Sequence, residues 1–142
     1  MSAPLQYLLD TDVLSETGRK QADERVMSFL AAADPSALYL SVLTLGELSK
    51  GVALKWKSDP DWAKKLGSWV DGLEFSVADR ILGVDAATAR VGGELSAQRL
   101  KPVIDTLLAA TAVVHELIFV THNRSDVQGI KVKLLNPWKR GN

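Results

Sequence analysis

Short apolar runs that end on polar or acidic residues alternate with longer stretches of helical periodicity, and this alternation constrains the fold most. The runs are Leu5–Leu9, Leu38–Ser41, Ile118–Thr121 and Lys131–Leu135, each of strand rather than helix length. Phe75–Val77 is a weaker fifth candidate. Between them, Asp23–Ala33, Leu43–Trp56, Asp61–Leu73, Asp85–Leu100 and Asp105–Glu116 repeat apolar residues at helical spacing, with Gly92-Gly93 interrupting the fourth. Strands alternating with helices predict an α/β chain, a three-layer α/β/α sandwich around a mostly parallel sheet. No repeat or long linker divides residues 1–142, so a single domain is expected.

Nearly half of the residues are apolar, enough to cover both faces of such a sheet. A zero formal net charge argues against a molecule that traps polyanions by bulk charge. The absence of cysteine removes disulfides, thiolate metal sites and cysteine nucleophiles together. No apolar run approaches the ~20 residues of a membrane span, and a cytoplasmic protein without membrane contact is expected.

Four acids fall at or within a turn of the ends of these elements: Asp10 after the first run, Glu47 one turn into the second helix, Asp105 at the start of the last, and Asp126 past Thr121. In an open parallel sheet, ligands bind at the carboxyl ends of the strands. Carboxylates gathered there repel unless a cation neutralises them, and an all-oxygen set suits Mg²⁺ or Mn²⁺. Each acid also has an ordinary structural role open to it. Thr44-Leu45-Gly46-Glu47 fits a helix capping box, Asp105 a helix N-cap, and Asp10 and Asp126 turn positions.

The run Leu8–Glu16 and the run Leu43–Gly51 resemble the first two motifs of PIN-domain ribonucleases. Val103–Ala112 is similar to the third motif, and Val120–Val127 with Leu134–Trp138 to the fourth region and tail. Within that family the chain resembles the VapC-type toxins, including their FitB-like branch. The resemblance implies a Mg²⁺- or Mn²⁺-dependent endoribonuclease, a homodimer, inhibited by a small antitoxin protein. It implies Asp10, Glu47 and Asp105 as metal-binding acids, with Asn123 or Asp126 completing the site. Asp12 stands where relatives commonly carry Asn, and Gln98–Pro102 looks shorter than usual.

Thr11 and Thr121 are candidates for orienting carboxylates or water. Lys50 and His122 are candidate RNA contacts. Lys50, Lys55, Lys57, Lys64 and Lys65 form a basic stretch between Glu47 and Trp69, and the C-terminus carries Lys131, Lys133, Lys139 and Arg140. Trp56, Trp62 and Trp69 in one helical hairpin read either as core or as a groove for a partner. His115 reads as structural.

Two rival readings remain open at this point. One is a PIN-like scaffold that binds RNA or a partner without cutting. The other starts from Asp10-Thr11-Asp12-Val13, which also resembles the opening motif of haloacid-dehalogenase-type phosphatases, where the first Asp attacks phosphorus.

Overall fold

The computed structural model describes residues 4–98, 102–122 and 131–138. Its five strands are β1 (Tyr7–Leu9), β2 (Leu38–Ser41), β3 (Ile81–Leu82), β4 (Ile118–Val120) and β5 (Leu134–Leu135). Its six α-helices are α1 (Thr11–Thr17), α2 (Glu24–Ala32), α3 (Val42–Ser58), α4 (Pro60–Ser76), α5 (Ala86–Gln98) and α6 (Val103–Val114). The strands lie in the order β3-β2-β1-β4-β5, and every neighbouring pair is parallel. The expected three-layer α/β architecture is present.

Alternation along the strands sorts the core into two layers. Leu9, Leu40 and Val120 join Val13, Val26, Leu48 and Val70 on the side covered by α1–α4. Leu8 and Phe119 point the other way, onto Leu108, Ala109 and Ala112 of α6. Helix α5 packs outside α6, and the contact depends on a missing side chain. A Cβ on Gly92 would lie 2.8 Å from Leu107 Cδ2 and 3.8 Å from Ala110 Cβ. The Gly92-Gly93 pair, which weakened the helix signal, lies inside one unbroken α5. Gly92→Val is therefore expected to cost about 1–3 kcal/mol of stability through overpacking, measured by denaturant unfolding.

Several boundaries depart from the sequence expectation. Phe75 is not in a strand but in the last turn of α4, 87% exposed, and β3 begins only at Ile81. Helix α3 starts directly after β2, with Ser41 as its N-cap accepting from Leu43 N–H at 3.0 Å. Thr44 and Glu47 thus form no capping box. Helix α6 starts at Val103 with Pro102 as its cap residue, so Asp105 lies within the first turn and is not the N-cap. Strand β5 spans only the end of the expected Lys131–Leu135 run.

The strand order reverses direction about β1, so the crevice between β1 and β4 is a switch point where ligands are expected. Asp10 leaves β1 and Thr121 leaves β4 at that crevice.

Candidate active site

Asp10 is the hinge between β1 and α1. Its backbone N–H donates to the Val120 carbonyl at 2.9 Å, tying it to the end of β4. Its side chain accepts from Thr11 N–H at 2.7 Å and from Thr121 hydroxyl at 2.7 Å. Asp10 is thus both the N-cap of α1 and a member of the acid cluster; the structural and chemical roles coincide.

A cavity of about 550 Å³ opens over these groups, lined by Asp10, Thr11, Asp12, Glu47, Asp105 and, from α1, Glu16. Ser15 and Arg19 complete its rim. Glu47 comes in from α3, where its carboxylate accepts from the Thr11 hydroxyl at 2.6 Å. Thr44 lies one turn earlier and pairs with the same hydroxyl at 3.0 Å. Thr11 therefore joins α1 to α3 and fixes how Glu47 is presented.

Electrostatics at the site are those of crowded acids. Burial, and next the neighbouring Asp12 carboxylate, push the Asp10 carboxyl up to about 7. The Thr121 and Thr11 hydrogen bonds pull it down, while Asp105 adds a further upward push. Burial also raises Asp12, opposed chiefly by the His122 backbone N–H that donates to it at 3.0 Å. The other Asp12 oxygen is buried and has no hydrogen-bond partner among the described residues.

The cluster is looser than the sequence expectation of a three-carboxylate metal centre. Asp10, Glu47 and Asp105 line one cavity, yet among the described residues no three acids or histidines stand close enough to share an ion as placed. Like charges separate, and both Asp10 and Glu47 are held by threonine hydroxyls. The donor chemistry still fits a hard divalent cation. Mg²⁺ needs only one or two carboxylates, with water and substrate phosphate completing its shell. The orphaned Asp12 oxygen is a further acceptor that such an ion or its water would satisfy.

Asn123 and Asp126 lie outside the described residues, as do Arg99–Lys101, Lys139 and Arg140. Lys50 is exposed on α3 and lines neither this cavity nor the groove beside it. His122 is exposed at the end of β4 and meets the site through its backbone. Lys131 and Lys133 precede β5, at the N-terminal end of the parallel strands, whereas Asp10 leaves the C-terminal end.

Four lining residues lay outside the expected site: Asp12, Ser15, Glu16 and Arg19. Their spacings of three and four residues were the available signal, since these place side chains on one helical face. Glu16 is buried, accepts from Asp23 N–H at 2.9 Å and pairs with Arg19 at 3.2 Å. It therefore fastens the turn from α1 into α2.

A second, more apolar cavity of about 620 Å³ runs on from the first, sharing Ser15, Arg19 and Glu47 with it. Trp62, Leu66 and Trp69 of α4 form its wall, and the Lys20 ammonium lies 5.1 Å from the centre of the Trp62 ring. Trp69 also packs against the core, whereas Trp56 is half exposed outside the groove. His115 is exposed at the C-cap of α6, where its backbone N–H donates to the Thr111 and Val113 carbonyls.

Residues 7–127 match the family model of the PIN domain. The chain is 33% identical over 140 residues to toxin FitB of Neisseria gonorrhoeae, covering 92% of this chain and 97% of that one. It is 30% identical over 141 residues to VapC ribonuclease Y4jK of Sinorhizobium fredii, covering 93% and 97%. Among solved structures, FitAcB from Neisseria gonorrhoeae superposes with a TM-score of 0.86 at 31% identity, over 94% of this chain and 99% of that one. A member of the VapBC family of toxin–antitoxin systems, VapBC-5 of Mycobacterium tuberculosis, follows at 0.65 and 25% identity, over 94% and 99%. These matches leave the phosphatase resemblance of Asp10–Val13 without support. By sequence and by fold, the chain belongs to the PIN-domain family.

Proposed function

We propose that this protein is a divalent-metal-dependent endoribonuclease, the toxin component of a type II toxin–antitoxin pair. The observation that carries the reading is the acid cavity at the β1/β4 crevice, lined by Asp10, Asp12, Glu47 and Asp105 in a PIN fold. The ribonuclease and toxin relatives named above support the same reading.

Asp10 and Asp105 would hold Mg²⁺ or Mn²⁺, with Glu47 ligating that ion or a second one and Asp12 as a further carboxylate beside them. When bound, such an ion polarises a phosphate oxygen, stabilises developing charge and lowers the pKa of an attacking water. Thr121 holds Asp10, through the oxygen that Thr11 N–H does not engage, in its observed rotamer. The Thr11 hydroxyl does the same for Glu47, keeping the carboxylate turned toward the cavity. Arg19 on the rim offers a guanidinium to an RNA phosphate entering an otherwise acidic cavity. Single-stranded RNA, with its bases and backbone accessible, is the substrate class that fits an open cavity of this kind.

Thr11→Val tests this arrangement at nearly constant volume. It removes the hydroxyl that orients Glu47 and leaves every carboxylate in place. RNA cleavage is expected to fall about 10–100-fold, the usual scale for groups that orient metal ligands. A folded Thr11→Val protein that cuts RNA at the wild-type rate contradicts the role given to Glu47.

The groove beside the acids is the proposed seat of the antitoxin, in a protein that works as a cytoplasmic homodimer. An apolar segment lying against Trp62, Leu66 and Trp69 would end at Glu47 and Arg19, which belong to both cavities. Occupying the groove would thus obstruct the acids.

A second reading, a PIN-like scaffold that binds RNA or a partner without cutting, is favoured by one observation. Among the described residues, the acids share a cavity but do not converge on a point. Metal-dependent cleavage separates the two readings.

A further inference from the structure

Beyond β5 the chain runs Asn136-Pro137-Trp138, and it turns back over the residue that leaves β4. Asn136 is a polar side chain only 1% exposed. Burying an amide costs free energy unless its donors and acceptors are met. Its Oδ1 accepts from Trp138 N–H at 3.0 Å, and its Nδ2 donates to the His122 carbonyl at 3.3 Å. Those two partners also fix which end of the amide is which.

The ring of Trp138 lies on the imidazole of His122, with centroids 4.5 Å apart and planes inclined by 21°. His122 is exposed, so the stack sets a direction for that residue more than it fills the core. With the carbonyl and ring of His122 both engaged by the tail, its N–H, on the other side of the Cα, donates to Asp12 Oδ2 at 3.0 Å. One residue back, Thr121 N–H donates to the Leu135 carbonyl at 3.0 Å, and its hydroxyl donates to Asp10. Two adjacent residues of the β4 exit thus connect the tail to two carboxylates of the cavity. Neither Asn136 nor Trp138 lines that cavity.

We propose that Asn136 and Trp138 are positioning residues of the acid site, fixing the backbone of His122 on both sides of its Cα and so holding Asp12 and, beside it, Asp10. The consequence for metal and RNA rests on the proposed function; the positional coupling itself does not. Asn136 is the stronger element because its Nδ2 holds the carbonyl of the same residue whose N–H carries the Asp12 hydrogen bond, one Cα away. Trp138 also packs against the core, so its contribution is isolated by comparing Phe, which keeps a stacking ring, with Leu, which does not.

The experiment uses the full chain as wild type, Asn136→Ala, Trp138→Phe and Trp138→Leu. Three quantities are measured: the His122 amide resonance in metal-free protein, Mn²⁺ affinity by calorimetry, and kcat and KM on RNA. In folded Asn136→Ala the His122 amide is expected to move upfield as its bond to Asp12 lengthens. Mn²⁺ affinity is expected to weaken about 10–100-fold, and kcat to fall while KM for RNA stays. Trp138→Leu is expected to show the same pattern more weakly, and Trp138→Phe to retain wild-type behaviour.

An unshifted His122 amide in folded Asn136→Ala overturns the proposal, whatever the wild type does with metal. If Asn136→Ala does not fold, the tryptophan pair decides: the same His122 amide position in the Leu and Phe variants overturns it. A wild type that neither binds Mn²⁺ nor cuts RNA removes the nuclease reading instead, and the amide resonance still reports the coupling.

Discussion

Asp10→Asn is expected to abolish RNA cleavage while making the metal-free protein more stable. The loss follows from its place at the centre of the site, between Thr11, Thr121, Asp12 and Asp105. Removing a group that only supports a metal ligand already costs about 10–100-fold, so losing the carboxylate itself should exceed that. Asparagine keeps the fold, because its oxygen can accept from Thr11 N–H and its amide can donate to the Thr121 hydroxyl.

The stability gain follows from the same crowding. The Asp10 carboxyl is raised from 3.8 to about 7, so the folded state binds a proton that the unfolded chain releases near pH 4. Metal-free stability is then fully present below the unfolded value and is lost as pH rises toward 7. At about 1.4 kcal/mol per pH unit the loss is on the order of a few kcal/mol, shared with Asp12. Thermal unfolding in chelator should therefore show a higher Tm for Asp10→Asn at about pH 8 and little difference at about pH 4.5. An equal or lower Tm at the higher pH contradicts the electrostatic account of the cavity.

Leu66→Lys is expected to separate inhibition from cleavage. Leu66 lines the groove on α4 without belonging to either buried core cluster, and its methyl approaches Gly18. In the free protein a lysine stem can lie along the groove wall with its ammonium in water. An antitoxin segment seated there would have to desolvate that charge. Its affinity should fall by about 2 kcal/mol or more, roughly 30-fold, as at other truncated or disrupted hot spots. RNA cleavage by the variant alone should be unchanged, and in cells the antitoxin should no longer protect. Wild-type affinity for the antitoxin, measured by calorimetry, would place the partner elsewhere.

The layered fold was legible because its signals are local. Leu8 and Leu9 are adjacent and apolar, and they face opposite layers, as a strand buried on both sides requires. The errors have local causes too. Phe75-Ser76-Val77 looks strand-like by residue type, but α4 continues through Ser76 with Phe75 outside its buried stripe. Thr44 and Glu47 have capping-box spacing, yet β2 passes into α3 without a turn and Ser41 takes the cap. That displacement frees Glu47 for Thr11.

Less of the site could be read this way, since its contacts cross the chain. Asp10 and Thr121 are 111 residues apart and meet only because β1 lies beside β4. Asp12 stood out as an added charge, but its bond to the His122 peptide depends on the tail beyond β5. In sequence Asn136 is only a polar residue between the last apolar run and Pro137. Its burial and its bonds to His122 and Trp138 are properties of the packed chain alone.

Incubating purified wild-type protein with a mixed RNA pool in Mg²⁺, in Mn²⁺ and in chelator tests the central claim most directly. The acid cavity predicts cutting in at least one metal, none in chelator, and none by Asp10→Asn under any condition. Cleavage that persists in chelator, or that Asp10→Asn retains in full, would contradict a carboxylate-held metal as the source of the activity.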